Sequence, residues 1–101
     1  YILANKGDTL ESIAREMGIS LRSLADYNDM PVDFPIRAGD IIYLEHKNKR
    51  ATPNYPDHVV RVGESMHDIS QQYGIRLSRL YRMNPLDYDY VPEEGDVLRL
   101  R

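Results

Sequence analysis

Apolar residues fall into two alternating rhythms along the chain. Leu10, Ile13, Ala14 and Met17 stand at i, i+3, i+4 and i+7, which predicts a helix with one buried stripe. Thr9 suits its N-cap, Asp8 its dipole-positive first turn, and Gly18 its left-handed stop. Leu21 and Leu24 mark a second short helix that ends at Asn28. Extended runs flank the pair: "YILAN" before it, and "AGDIIYL" after a loop of about ten residues.

The same rhythm then returns. A shift of 56 positions lays residues 2–45 on 58–101 with no insertion, and eleven pairs are identical: Gly7/Gly63, Ile13/Ile69, Gly18/Gly74, Ile19/Ile75, Leu21/Leu77, Leu24/Leu80, Asn28/Asn84, Asp33/Asp89, Gly39/Gly95, Asp40/Asp96 and Leu44/Leu100. Met66, Ile69, Ser70 and Tyr73 form the second stripe, Ser65 the second cap, and "HVVRV" and "EGDVLRL" the flanking runs. The identities sit where backbone geometry or packing demands them, so the chain is a duplicated module. The fold class expected is α+β: two β-α-α-β modules, each a two-stranded antiparallel sheet with two helices packed on one face. The modules are placed at residues 1–45 and 58–101. Between them "HKNKRATPNYPD", charged, rich in proline and without periodicity, is read as a linker over 46–57.

A helix pair closed by a glycine turn also resembles a DNA-binding helix-turn-helix, and charge bears on that reading. The chain carries 13 Lys and Arg against 16 Asp and Glu, a net charge of −3. Neither module has a positive excess, and the one basic run, "HKNKR", lies in the linker. Nucleic-acid binders neutralise phosphates with a basic face. Arg76, Arg79 and Arg82 on the fourth helix are the counter-case, read here as solvated surface opposite Leu77 and Leu80. A strand also closes each module where a helix-turn-helix uses a third helix. No nucleic-acid partner is expected.

Other chemistry is sparse. Without cysteine there is no disulfide, thiol nucleophile or Cys–zinc site. His46 and His58 stand isolated, and His67 and Asp68, adjacent on a helix, point apart. Acid pairs such as Glu93–Glu94 and Asp87–Asp89 fall in turns. No cofactor, metal site or catalytic group is expected, and no apolar run is long enough to insert in a membrane.

"GDTLESIAREMGISLRSLADYN" with "RAGDIIYL", and "HVVRVGESMHDISQQYGIRLSRLYRMNP" with "EEGDVLRL", resemble two LysM domains in tandem. The marks are the G-[DE]-[ST] opening, the Ile and Gly of the first helix, the Leu pair and terminal Asn of the second, and the G-D before the last strand. The resemblance implies binding of N-acetylglucosamine polymers, bacterial peptidoglycan or a chitin-like glycan, in a shallow groove between two loops. It carries over to Gly7, Asp8, Thr9 and Leu10 facing Asp29, Met30, Pro31 and Val32. In the second copy Gly63, Glu64, Ser65 and Met66 face Pro85, Leu86, Asp87 and Tyr88. A neutral acetamido sugar needs backbone donors and acceptors and apolar cover for its methyl, and no charged clamp.

A structural role competes at each position. Thr9 and Ser65 are explained by capping alone, and Met30 and Leu86 by core closure. Asn28 and Asn84 are expected to fix a loop by bonding nearby backbone. Tyr90, aligned with Phe34, is read as core and Tyr88 as surface. The reading favoured is a glycan-binding pair, at the cell envelope, that anchors a cell-wall hydrolase. Its catalytic domain is expected before Tyr1, and the end of the last strand is taken as a natural C-terminus. The alternative is a scaffold that kept the fold and lost the sugar; DNA binding comes third.

Overall fold

Four helix starts and stops fix the frame. Thr9 and Ser65 are extended N-caps whose hydroxyls accept from Ser12 N–H and Asp68 N–H. Ser12 and Asp68 bond back to the cap backbone, completing a capping box at each site. Nine positions after each cap, Gly18 (φ 68°) and Gly74 (φ 66°) turn left-handed and end the helix. These devices define, in a computed structural model describing residues 1–101, the elements β1 (Ile2–Leu3), α1 (Leu10–Met17), α2 (Leu21–Tyr27), β2 (Ile41–Ile42), β3 (Asp57–Val59), α3 (Met66–Tyr73), α4 (Leu77–Met83) and β4 (Val97–Arg99). The chain divides into two compact units, Tyr1–Lys47 and Asn48–Arg101. Each has the expected α+β order.

Each sheet is a short antiparallel pair. Ile2 lies opposite Ile42 and Leu3 opposite Ile41; Asp57, His58 and Val59 lie opposite Arg99, Leu98 and Val97. One further rung follows, because Gly39 N–H donates to Ala4 O at 2.8 Å and Gly95 N–H to Val60 O at 2.9 Å. The recurring G-D has a local cause. Gly39 and Gly95 take φ near 90°, and the carboxylates of Asp40 and Asp96 accept from Arg37 N–H and Glu93 N–H across the turn.

Asn28 closes the first module. Its amide donates to Leu24 O and Tyr43 O, and its carbonyl accepts from Tyr43 N–H at 2.7 Å; the Asn28 side chain is fully buried and Tyr43 half-buried. A side chain thus stands in for a strand neighbour beside β2. Asn84 repeats the clamp with Leu80 O, Arg99 O and Arg99 N–H. Between sheet and helices lie two separate cores: Leu10, Ile13, Ala14, Leu24 and Ile42 in unit one, Met66, Ile69, Leu80, Leu98 and Leu100 in unit two. Each large aliphatic so buried contributes about 1.5–3 kcal/mol.

Two stripe positions behave differently from the periodic pattern. Met17 is 39% exposed and Tyr73 half-buried. Two short strands and one partner helix cover only the first two turns of α1 and α3. Residues 48–57, part of the segment expected to link the modules, also fold with unit two. Ala51 is buried in its core, its N–H donates to Leu100 O, and Asn48 pairs in parallel with Ile75.

Candidate functional site

The turn between β3 and α3 is held by its own side chains. Glu64 folds back so that its carboxylate accepts from Arg61 N–H at 2.7 Å, and Ser65 and Asp68 take up each other's backbone N–H. Asp8 closes the matching turn in unit one, accepting from Asn5 N–H at 2.8 Å.

Gly63, Glu64, Ser65 and Met66 form one wall of a cleft of about 470 Å3. The other wall is Tyr90, Val91 and Pro92, with Leu77 and Tyr81 of α4 between and His67 at the edge. Four of the expected residues are therefore brought together. Pro85, Leu86, Asp87 and Tyr88 lie elsewhere. Leu86 N–H donates to Tyr81 O and its side chain packs on the core, which turns 85–86 back over the end of α4. Asp87 O accepts from Tyr90 N–H, and the exposed Tyr88 ring lies 4.7 Å from that of Tyr81. This tight return carries 90–92, rather than 85–88, to the cleft. Tyr90 leans on the core as its alignment with Phe34 suggested, but its hydroxyl donates to Asp96. That bond, assisted by burial and the charges of Asp96 and Glu93, pushes its pKa up to about 12.

The residues aligned with this site in unit one differ. Leu10 is buried, Gly7 and Thr9 exposed, and Asp8 half-buried. Opposite in the sequence, Met30 packs on the core while Pro31 and Val32 are exposed. Asp29 takes φ 53°, and its carboxylate meets Lys47 Nζ at 2.7 Å. The Lys47 side chain has no solvent exposure. Burial lowers its pKa, and the bond and charge of Asp29 oppose that fall.

Sequence spacing did not reveal one polar cluster. His58, buried under the β3–β4 sheet, meets Tyr73 OH through Nδ1 at 2.7 Å and Glu64 Oε1 through Nε2 at 2.8 Å. Burial alone would raise the Glu64 pKa; the Arg61 N–H and the His58 ring outweigh it and hold the carboxyl below its ordinary range. The only hint was an out-of-pattern residue, since position 58 aligns with the core residue Ile2. Nowhere do three or more His, Asp or Glu side chains gather as metal ligands would.

The LysM domain family matches residues 4–44 and again 58–101. The chain belongs to the LysM family. LysM domains are binding modules, so this pair is non-catalytic. Among relatives of known role, the cell wall-binding protein YocH of Bacillus subtilis is 28% identical over 90 residues, which is 89% of this chain and 30% of that protein. An autolysin of Enterococcus faecalis is 31% identical over 93 residues, 84% of this chain and 12% of the autolysin. The LysM pair thus spans under a third of each relative. A crystal structure of the Bacillus cereus spore cortex-lytic enzyme SleL aligns over 99% of this chain and 22% of its own, at 21% identity and a TM-score of 0.44. No helix of the LysM pair is long and apolar enough to cross a membrane.

Proposed function

We propose that this LysM pair binds a glycan containing N-acetylglucosamine, peptidoglycan before chitin, and holds a larger cell-wall hydrolase on its substrate outside the cytoplasm. The observation that carries the reading is the convergence of Gly63, Glu64, Ser65 and Met66 on the cleft closed by Tyr90, Val91 and Pro92. Gly63 N–H, the donor of the turn that neither Arg61 O nor Asp68 takes up, serves the acetamido carbonyl and a turn carbonyl its N–H, while Met66, Leu77 and Tyr81 offer apolar cover to its methyl. Relatedness to a cell wall-binding protein and an autolysin supports the setting. Modules at 1–45 and 58–101 belong to the same proposal.

The sugar-free scaffold reading finds its support in unit one. There Ala25 replaces Tyr81, and Asp29, in the loop expected to face the sugar, is engaged by Lys47. The second module is accordingly the stronger binder. Titration with chitin or peptidoglycan oligomers, followed by amide shifts, tests this. Shifts are expected at 63–66 and 90–92, with weaker ones at Gly7–Leu10. Silence of both modules at millimolar oligomer would leave only the scaffold.

A further inference from the structure

Charge that the sequence spreads over fifty residues is collected by the fold at one end of unit two. Asn48 N–H donates to Gly74 O and Asn48 O accepts from Arg76 N–H, both at 2.8 Å. Three residues on, Ala51 N–H donates to Leu100 O at 2.7 Å, and Arg101 Nη1 donates to Ala51 O. Three residues span at most about 10 Å, so the α3–α4 connection and the end of β4 are stapled close together by this strap. Lys49 and Arg50 lie on the strap, exposed; Arg76 and Arg79 share a face at the start of α4; Arg99 and Arg101 end the chain beside them. Among acids, Asp57 alone lies here, opposite Arg99. Glu64 and Asp68 lie at the cleft-side turn and the first turn of α3, and Glu93, Glu94 and Asp96 just before β4 at the other end of the hairpin, while Asp87 and Asp89 lie in the connection that leaves α4. A unit that is neutral in sum thus carries six of its eight basic side chains on the strap, the start of α4 and the end of β4.

We propose that the strap end of unit two is a second binding surface, for a linear phosphodiester polyanion borne on the cell wall, used alongside the neutral-glycan cleft. The choice of a wall polymer over nucleic acid rests on the glycan reading above; the surface itself does not. The patch spans a few phosphates, so recognition is of backbone charge and is salt-dependent. With about three phosphates neutralised on a flexible single chain, affinity falls roughly tenfold between about 50 and 200 mM salt.

Poly(glycerol phosphate), a chito-oligosaccharide and duplex DNA, each titrated into the whole chain with amide-shift readout, test this. Poly(glycerol phosphate) is expected to shift 49–51, 74–76 and 99–101 and to leave 63–66 still. The chito-oligosaccharide should do the reverse, so failure of either reading is seen separately. Lys49→Glu with Arg50→Glu should weaken the polyanion tenfold or more by the same counterion argument and leave the sugar unaffected; Lys49→Gln alone, which cannot disturb the backbone staples, should weaken it about twofold. No polyanion binding at low salt, indifference to both variants, or tighter binding of duplex DNA overturns the proposal.

Discussion

The two modules share their backbone devices and differ in what they hang on them. Thr9 and Ser65 cap, Gly18 and Gly74 stop, Asn28 and Asn84 clamp, and Gly39–Asp40 and Gly95–Asp96 turn, with the same partners in both copies. Around the site the side chains diverge. Ala25 answers to Tyr81, Val32 to Tyr88, Phe34 to Tyr90, Ile2 to His58 and Met17 to Tyr73. A β-α-α-β unit this small has few ways to close its backbone, so those devices persist through duplication, and divergence is left to the cleft and the sheet face. The second copy has become aromatic and polar. The first has kept a plain core and acquired a buried ion pair.

That ion pair offers the largest contrast. Asp29→Asn keeps the left-handed backbone, which Asn tolerates, yet leaves Lys47 buried without its counter-charge. Loss of about 3–5 kcal/mol from unit one is expected. Lys47→Met leaves only a partly exposed carboxylate, which water solvates, and should cost less than about 1 kcal/mol. Residue-resolved hydrogen exchange reads each unit by itself; equal costs for the two variants would show the pair to be ordinary surface charge.

The clamps come next. Asn28→Ala orphans Tyr43 N–H and C=O in a half-buried setting, and about 2 kcal/mol should be lost from unit one. Asn84→Ala frees the backbone of exposed Arg99, which water reaches, so unit two should lose about 1 kcal/mol. Thermal unfolding followed at Ile42 and Leu98 separates them; the comparison breaks if unit two is hurt more.

Most of this frame was legible in the sequence because its causes are local and stated twice. Caps, left-handed glycines and the G-D turn act within three or four residues, and the repeat filters chance from need. What was not legible depends on distant closure. Arg101 meets Ala51 across fifty positions, so a strap that looks like linker folds with unit two. His58 finds Glu64 and Tyr73 only because β3 sets it against both. The second wall of the cleft moved from 85–88 to 90–92 because Leu86 closes back on Tyr81 and Tyr90 on Asp87, a return no periodicity encodes.

That shift can be put to the sugar. Val91 is 76% exposed and lines the cleft, whereas Tyr88 is 72% exposed and does not. Val91→Asp should weaken oligosaccharide binding by unit two about fivefold, the worth of part of a valine's apolar surface, with stability unchanged. Tyr88→Ala should leave affinity within about twofold, since it removes a stacking partner of Tyr81 and no cleft surface. The opposite ranking would return the site to residues 85–88.

The smallest effect is a difference in alkaline behaviour. Tyr90 has its pKa raised to about 12 by the bond to Asp96, and Phe34 has no proton to lose. A tyrosine that holds its proton more tightly when folded stabilises fully below its unfolded pKa near 10 and ceases to as pH climbs through about 12. Unit two should therefore lose stability across that window, modestly because the group faces solvent. Tyr90→Phe should remove the largest part of that slope and leave the part owed to Tyr73 and Tyr81, whose hydroxyls burial also holds above the ordinary range; in unit one only Tyr43, raised by burial, contributes. Asp96 works with the opposite sign: its carboxyl is held low first by the Tyr90 hydroxyl and then by Glu93 N–H, so its contribution fades as pH falls through the acid range. The acid-side loss in Tyr90→Phe should be smaller but present, because the bond from Glu93 N–H remains. Chemical-shift titration of Asp96 in the parent chain and in Tyr90→Phe reads the difference directly; coincident curves would mean that the phenol adds nothing to the turn.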